Sequence, residues 1–344
     1  MQLTLEGYIE SRQNAGFYVL KMPKAFQSER TLTEPILKTE AKFDDDHIVY
    51  DLTNSSHTSN LFPKKVWKKH YQNALDELDK AEQLSTLQPF QGEYKLRKEI
   101  SRYLERIRGV KCHPDQIIIT SGLQQSLDYI CQFLGNTKRS VLMEDPSYPK
   151  AREIFKKNAY PIVTAEVDEK GLDLTKVDRS SEIEMIYTTP SHQFPLGMIM
   201  PISRRRELLS FAEAHNSFIL EDDYDSELRY YQRPIPALKS IDYLGRVIYL
   251  GTFSKILSPS FRMGYMVLTE QFTESFLEKF KLYNSTVNLL NQIALANILS
   301  SGDYDRLVRK MNHVFKKRYE AFKKEFEQFN APIKLSSNVS GQYF

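Results

Sequence analysis

Short apolar runs alternate with amphipathic segments through the middle of this chain, and this alternation limits the fold more than any other feature. Strands separated by helices form a mostly parallel sheet with helices on both faces. We therefore predict an α/β fold, with further helices at 270–282, 286–300 and 303–329. The strand-like runs lie at 116–120, 140–144, 160–165, 184–189, 217–222 and 246–250, and helical patterns lie at 93–107, 123–134, 149–158 and 203–215.

Composition fits a large folded protein of this class. The chain has 344 residues, 41% of them hydrophobic, which is enough to bury a sizeable core. Its net charge of +3 gives no argument for nucleic acid by itself. Cys112 and Cys131 have no metal-binding spacing, which fits a reducing compartment and no bound metal. No run reaches membrane-spanning length and no signal-peptide pattern follows Met1, so we expect a cytoplasmic protein with no membrane segment.

One lysine and one aspartate suggest a specific cofactor. Asp222 ends an apolar run, and Lys255 follows 33 positions later in the string GTFSKILSPSFRMGY. Pyridoxal phosphate needs a lysine amine for a Schiff base and a carboxylate that keeps its pyridine nitrogen protonated. Tyr224 shares a strand face with Asp222, where it could donate to the phenolic oxygen of the cofactor. The plain alternatives are a surface lysine and an aspartate that caps a helix, and we expect a structural role for Asp223.

Other residues suit the phosphate and the ring of this cofactor. The run IIITSGLQQSLD breaks from a strand into a helix, and free amides at a helix start bind phosphate. A guanidinium fork and a hydroxyl near Lys255 add donors, and an aromatic side chain after the run at 140–144 could stack on the pyridine ring. Ordinary surface or core positions are the alternatives. The phosphate candidates are Ser121, Gly122, Leu123, Thr252 and Arg262, and the stacking candidate is Tyr148.

With these motifs the chain resembles the fold-type-I aminotransferase superfamily, and more narrowly the aminotransferase-like domain of MocR/GabR regulators. The strings SGLQQSLD, EDPSYPK, TPSHQFPLG, EDDYDSE and TFSKILSPSFRMGY carry the resemblance, in order, across roughly 47–344. The resemblance implies a pyridoxal-phosphate-binding large domain at 47–285. It also implies that 286–344 are helices leading into an incomplete C-terminal small domain.

The N-terminus carries a second clue. Two β-prone runs flank Asn14, Ala15 and Gly16, which predicts a hairpin. It resembles the wing of the GntR-type winged helix-turn-helix that precedes the aminotransferase domain in MocR/GabR proteins. We therefore interpret 1–20 as a wing remnant and 21–46 as a linker, with a chance hairpin at a terminus as the alternative. On this view the chain is a regulator truncated at both ends, and it should bind DNA weakly or not at all, although the intact parent binds DNA.

The sequence departs from the families that it resembles at two places, one that would contact the ligand and one that would contact the cofactor. Lys150 stands where GABA-responsive relatives carry an arginine for the ligand carboxylate, and lysine offers only a point charge. Most fold-type-I transaminases have an Asn-Pro-x-Gly string whose Asn touches the phenolic oxygen, but here Phe194 occupies that place. His192 or Gln193 could take over this contact, and a turn role for His192 is the alternative.

Three functions remain open at this point. We favour a transcription regulator whose domain senses an amino acid or amine by forming an external aldimine through the chemistry of Lys255. The alternatives are a free-standing pyridoxal-phosphate-dependent aminotransferase and a remnant that cannot hold the cofactor. The resemblance also implies a homodimer, in which the segment 90–97 would reach the partner's site.

Overall fold

We describe the protein from a computed structural model, which covers residues 2–21, 61–80, 87–135, 138–178, 181–231 and 235–328. The chain divides into two units, Met1–Ser55 and Ser56–Phe344. Nearly all of the predicted linker at 21–46 lies outside the described residues, and so does the strand-like end predicted at 332–344.

The first unit contains the predicted hairpin. A short helix α1 (Gln2–Leu5) precedes strands β1 (Ile9–Arg12) and β2 (Gly16–Val19), which pair antiparallel. Asn14 and Gly16 have φ values of 62° and 83° in the turn, a region that Asn and Gly adopt more readily than other residues. The hairpin is therefore present, while its role as a wing remains a prediction.

The second unit is built around a mixed eight-stranded sheet. Its strands are β3 (Ile117–Thr120), β4 (Ser140–Asp145), β5 (Ile162–Asp168), β6 (Gly171–Leu172), β7 (Ile183–Thr188), β8 (Phe218–Asp223), β9 (Val247–Thr252) and β10 (Gly264–Val267). Their spatial order is β3-β10-β9-β8-β7-β4-β5-β6. Strands β5, β4, β7, β8 and β9 are parallel, whereas β10 runs antiparallel to both β3 and β9.

Helices cover both faces of this sheet. In β3, Ile118 packs in a cluster with Ile130 and Phe276, whereas Ile117 and Ile119 belong to a cluster on the other face. This alternation follows from the two-residue period of a strand whose faces are both buried. The helices are α2 (Lys64–Lys80), α3 (Tyr94–Arg108), α4 (Leu123–Leu134), α5 (Pro149–Lys157), α6 (Ile202–Ala214), α7 (Glu270–Lys279), α8 (Leu289–Ser300) and α9 (Asp303–Gln328).

The predicted α/β architecture is confirmed, and the elements that the apolar pattern did not predict include helix α1, the two-residue strand β6, strand β10 and helix α2. Strand β10 has only four residues, too few for a clear period. Helix α2 buries Trp67, His70, Ala74 and Leu78 along one face and packs against α8. Helix α8 also packs against α3, so the helices after residue 285 contribute to the same core. The domain boundary at 285 remains a prediction.

Candidate functional site

The predicted site residues follow strand ends that lie at one edge of the sheet. The parallel strands β4, β7, β8 and β9 end at this edge, and β3 ends there too because β10 runs back between β3 and β9. Ligands of open α/β sheets bind at the carboxyl ends of parallel strands. The residues at these ends are Ser121, Gly122 and Leu123 after β3, Tyr148 after β4, His192 after β7, Asp222 and Tyr224 at β8, and Lys255 after β9.

Asp222 is a buried acid next to the end of β8. Its side chain accepts a hydrogen bond of 2.5 Å from the hydroxyl of Tyr187 on β7. Burial raises the pKa of Asp222 to about 7; Asp223, Asp225 and Glu144 act in the same direction, and the Tyr187 hydrogen bond opposes it. A carboxyl group with such a pKa holds a negative charge best when a cation lies beside it.

Lys255 lies in the turn that follows β9. The backbone amide of Ile256 donates to the carbonyl of Phe253 in this turn, and Lys255 is partly buried. Its Nζ lies 5.9 Å from the ring centroid of Tyr224. Burial lowers the pKa of Lys255, although Asp225 and Asp222 act to raise it. A lysine amine with a lowered pKa is more often neutral, which is the state that attacks a carbonyl carbon.

Tyr224, which was predicted to share a strand face with Asp222, has a histidine as its polar partner. The hydroxyl of Tyr224 lies 3.0 Å from Nδ1 of His192, and the same Nδ1 lies 2.9 Å from Oδ2 of Asp225. His192 is 5% exposed, and its Nε2 has no hydrogen-bond partner among the described residues. His192 therefore contacts the site through Tyr224.

Aromatic rings connect Tyr148 to the same group. The ring of Phe194 lies 5.6 Å from that of Tyr148 and 6.1 Å from that of Tyr224, both at steep angles. Phe194 thus packs between the two tyrosines, in the place where the transaminase string would carry a polar Asn. The side-chain nitrogen of Gln193 has partners away from the two tyrosine rings. It donates to Glu144 and to the backbone carbonyls of Pro146 and Phe194.

The start of α4 and Arg262 form a cradle for an anion. Gly122 precedes α4 with φ 119°, and a Cβ at this position would lie 3.2 Å from Nη2 of Arg262. The guanidinium therefore lies close above the helix start, where backbone amides are without intrahelical partners. Thr252 is the last residue of β9, and its hydroxyl accepts a hydrogen bond from the amide of Ser254 at 3.1 Å. These donors and this positive charge fit a phosphate group.

Lys150 is the predicted residue that the structure does not bring into these contacts. It lies on the first turn of α5, two residues after Tyr148, and its side chain is exposed. An exposed lysine contributes a mobile positive charge, so its position neither builds nor blocks the cluster around Lys255.

Several supporting residues were not predicted from the sequence. Arg108 on α3 forms a buried ion pair of 2.8 Å with Asp223 and donates to Ser191 at 2.6 Å. Asp223 also accepts from the hydroxyl of Tyr249. The side chain of Gln125 accepts from the amide and the hydroxyl of Ser121, at 2.8 and 3.1 Å. Asp223 lies in the string EDDYDSE but its partners Arg108 and Tyr249 lie far away in the chain, whereas Ser121 and Gln125 lie four positions apart in the string SGLQQSLD.

Comparison with known proteins assigns the fold. The sequence model of the family "Aminotransferase class I and II" matches residues 52–339. A kynurenine aminotransferase from Pyrococcus horikoshii, solved with PMP, superimposes with a TM-score of 0.73 at 27% identity, covering 82% of this chain and 71% of that one. A multiple substrate aminotransferase from Thermococcus profundus gives 0.74 at 27% identity, with 82% and 72% covered. The second unit thus has the fold of class I and II aminotransferases.

Sequence relatives narrow the assignment to regulators. The HTH-type transcriptional regulators YdeL and YhdI of Bacillus subtilis are 37% and 35% identical, each over 92% of this chain and 67% of the relative. The probable rhizopine catabolism regulatory protein MocR of Rhizobium meliloti is 32% identical over 92% of this chain and 66% of its own length. The chain belongs to the MocR/GabR family of regulators that carry a class I and II aminotransferase domain.

This membership confirms the resemblance predicted from the five strings. The family match and the neighbour solved with PMP imply pyridoxal phosphate as the cofactor. The relatives YdeL and YhdI are named HTH-type regulators, and the described residues of the first unit of this chain contain no helix-turn-helix. Among the helices that the structure describes, none has the length and apolar character needed to cross a membrane.

Proposed function

We propose that this chain is the ligand-sensing part of a MocR/GabR-type transcription regulator that binds pyridoxal phosphate and responds to an amino acid or an amine. The observation that carries the proposal is the approach of Lys255 to Tyr224 at the strand edge that also holds Asp222. The regulators among its relatives support the sensing role over the enzymatic one. When bound, the cofactor supplies an electron sink and a reactive carbonyl carbon.

Each predicted residue has a role in this proposal. Lys255 attaches the cofactor, and Asp222 would hold its ring nitrogen protonated, so that the positive charge of the ring lies beside this acid. Tyr224 would donate to the phenolic oxygen with His192 behind it, and Tyr148 would lie against the ring. The phosphate would be held by the cradle residues Ser121, Gly122, Leu123, Thr252 and Arg262.

The ligand and the assembly belong to the same proposal. Lys150 is our candidate for the contact with a ligand carboxylate, through a charge–charge attraction and not a bidentate pair. We propose a homodimer in which residues 90–97 approach the partner's site. We also propose that DNA is bound by the intact parent protein through the domain that the hairpin at 9–19 would complete, and that the protein is cytoplasmic.

The first test is the visible absorption spectrum of the purified chain with pyridoxal phosphate. We expect a band in the wild type that borohydride traps as a mass increase on the peptide containing Lys255. Lys255→Ala should lack the trapped mass, whereas Lys310→Ala, a change at an exposed lysine, should keep it. Absence of a band and of any cofactor-dependent rise in thermal stability would reject the cofactor role and favour a non-binding remnant.

A second test separates the regulator from the enzyme. An aromatic-amino-acid aminotransferase of Thermococcus litoralis is 30% identical over 77% of this chain, which keeps free-standing transamination as the alternative. We expect the intact regulator to bind its operator differently with and without cofactor and amine. Repeated turnover of amino acid to keto acid by this chain, with no effect on DNA binding by the parent, would favour the aminotransferase instead.

A further inference from the structure

His192 has two polar neighbours at one ring nitrogen and none at the other. Oδ2 of Asp225 and the hydroxyl of Tyr224 lie 2.9 and 3.0 Å from Nδ1. Asp225 and His192 are both buried, with side-chain exposures of 2% and 5%. Nε2 has no partner among the described residues. A buried hydrogen-bonding group without a partner is costly, so these contacts restrict where the ring hydrogen can be.

Only one neutral tautomer satisfies these contacts. A hydrogen on Nδ1 has the Asp225 carboxylate as an acceptor, whereas a hydrogen on Nε2 would have no acceptor among the described residues. The second tautomer would also direct the Nδ1 lone pair at the Asp225 carboxylate, which is repulsive. With the hydrogen on Nδ1, Tyr224 cannot donate to that nitrogen and can only accept from it.

We propose that Asp225 fixes His192 in the tautomer with hydrogen on Nδ1, and that the hydroxyl of Tyr224 then donates to the cofactor's phenolic oxygen and not to Nδ1. Asp225 and His192 are thus positioning residues that act through Tyr224. This inference rests on the proposed cofactor site. It gives a purpose to Asp225, which no proposed cofactor contact requires, and to His192 in the string that precedes Phe194.

The charged groups around His192, Asp225 and Tyr224 determine whether a variant raises or lowers the pH midpoint of the visible band. Lys255 and Asp222 face these residues from the ends of β9 and β8, and the charges of Asp225 and Arg229 influence each other. A donor at the phenolic oxygen stabilises its anionic form, so losing the donor raises the pH midpoint of the visible band. Losing the negative charge of Asp225 near Lys255 has the opposite effect, because that charge favours the cationic form of the bound chromophore.

The first arm of the experiment needs no cofactor. Nitrogen-15 NMR of histidine-labelled protein distinguishes the two ring nitrogens, and His192→Gln identifies the His192 signals by their loss. We expect a protonated Nδ1 and an unprotonated Nε2 in the wild type. A hydrogen on Nε2 and none on Nδ1 would overturn the proposal, whether or not the protein binds pyridoxal phosphate.

The second arm is a double-mutant cycle on the pH midpoint of the visible band. We measure the shift caused by Asp225→Ala in the wild type and in Tyr224→Phe, and repeat it with Asp225→Asn in case the alanine variant does not fold. With Tyr224 present the shift should be more positive, by about one pH unit, since one hydrogen bond is worth roughly that much. Equal shifts in both backgrounds would overturn the proposal.

Two controls complete this cycle. Asp225→Glu keeps the carboxylate and should restore much of the coupling to Tyr224. Glu227→Gln changes a nearby acid whose side chain bonds Tyr103 and Tyr304, and it should give equal shifts with and without Tyr224. If no band forms in the wild type, the cofactor proposal fails, while the NMR arm still decides the tautomer.

Discussion

At the scale of single residues, Asp222 shows how the site is prepared for a cation. Its carboxyl group is buried among other acids, and burial raises its pKa to about 7. The unfolded chain has no such burial and releases this proton near its ordinary value of 3.8. Between these two values the native state binds the extra proton, so the contribution of Asp222 to stability falls as pH rises through this window.

We predict that Asp222→Asn is more stable than the wild type in the cofactor-free protein at pH 8. The gain should be on the order of 2–4 kcal/mol, since one pKa unit corresponds to about 1.4 kcal/mol. It should disappear below pH 4, where both states of the wild type are protonated. Urea unfolding at several pH values measures this difference, and a less stable variant at pH 8 would contradict the raised pKa.

The same variant should bind pyridoxal phosphate more weakly, because an amide cannot hold the ring nitrogen protonated. Because the variant should gain stability while it loses affinity for the cofactor, a general loss of folding can be distinguished from a specific loss of the contact. Titration of the visible band with cofactor supplies the affinity.

The position of a single residue could be predicted where an apolar run ends beside it, while the roles of these residues remain predictions. Asp222 lies at the end of a strand that could be predicted from its apolar run, and Tyr224 and Lys255 each follow such a strand. Asp225 and His192 could not be paired in this way, because they lie 33 positions apart on two loops (225−192) and their contact depends on how β7 and β8 align.

At the scale of elements, helix α4 has a glycine beside each end with a backbone conformation that other residues rarely adopt. Gly122 has φ 119° and ψ −179°, and Gly135 has φ 73° and ψ 176°. Alanine at Gly122 would lie close to Arg262, whereas at Gly135 no non-neighbouring atom of the described residues lies within 4 Å of a Cβ. The two positions share the backbone penalty and differ in their surroundings.

We predict that Gly122→Ala and Gly135→Ala each lower the free energy of unfolding, by about 1–3 kcal/mol from backbone strain. Only Gly122→Ala should also weaken cofactor binding, by tenfold or more, because the added methyl group displaces the Arg262 guanidinium. Thermal denaturation and cofactor titration measure the two effects. Equal cofactor affinities in the two variants would contradict the proposal that the start of α4 and Arg262 hold the phosphate of the cofactor.

Helix α3 is joined to strand β8 by a buried ion pair. Burial acts to raise the pKa of Asp223, but Arg108 and the Tyr249 hydroxyl hold it below its usual value. We predict that Arg108→Met lowers stability by about 3–5 kcal/mol at pH 7, because it leaves a buried charge without its partner. Arg102→Met, on the exposed face of the same helix, should change stability by less than about 0.5 kcal/mol.

Adding Asp223→Leu to Arg108→Met provides the decisive comparison, measured by chemical denaturation. The double variant should recover part of the lost stability, since no buried charge is left unpaired. If the double variant loses as much free energy of unfolding as the two single variants lose together, lost packing and not an unpaired charge explains the effect of Arg108→Met.

The elements themselves could be predicted where the pattern was long. Helix α4 was predicted with its observed bounds, 123–134, because Ser-Gly marks its start and its apolar period is regular. Helix α2 was missed although its buried residues are spaced like those of an amphipathic helix. Strand β10 was missed because it has only four residues, and the first two of them, Gly264 and Tyr265, end the string that carries the cofactor motif.

At the scale of the whole molecule, an apolar patch is consistent with the proposed dimer. Leu87, Leu282 and Tyr283 are 81%, 88% and 51% exposed, and Leu87 and Tyr283 line one cavity with Phe90. Exposed apolar side chains that gather in one place often mark an interface. The segment 90–97, which we expect near the partner's site, begins at this cavity.

We predict that the double change Leu87→Ser and Tyr283→Ser shifts the protein from dimer toward monomer. Sedimentation equilibrium measures the effect, which should be at least a tenfold rise in the dimer dissociation constant, about 1.4 kcal/mol. Tyr243→Ser removes an aromatic side chain that is 84% exposed elsewhere and should leave the dimer unchanged. A wild-type protein that is monomeric at all concentrations would contradict the proposed assembly.

Strand β10 also determines when the site can exist during folding. It joins the end of β3 to the end of β9, although more than 100 residues of chain separate Thr120 from Thr252 (252−120 = 132). Contacts between such distant segments form slowly, since closing long loops costs entropy before any contact is gained. The cradle should therefore be among the last parts to form on the nascent chain, so the cofactor would bind only molecules in which the central sheet is already complete.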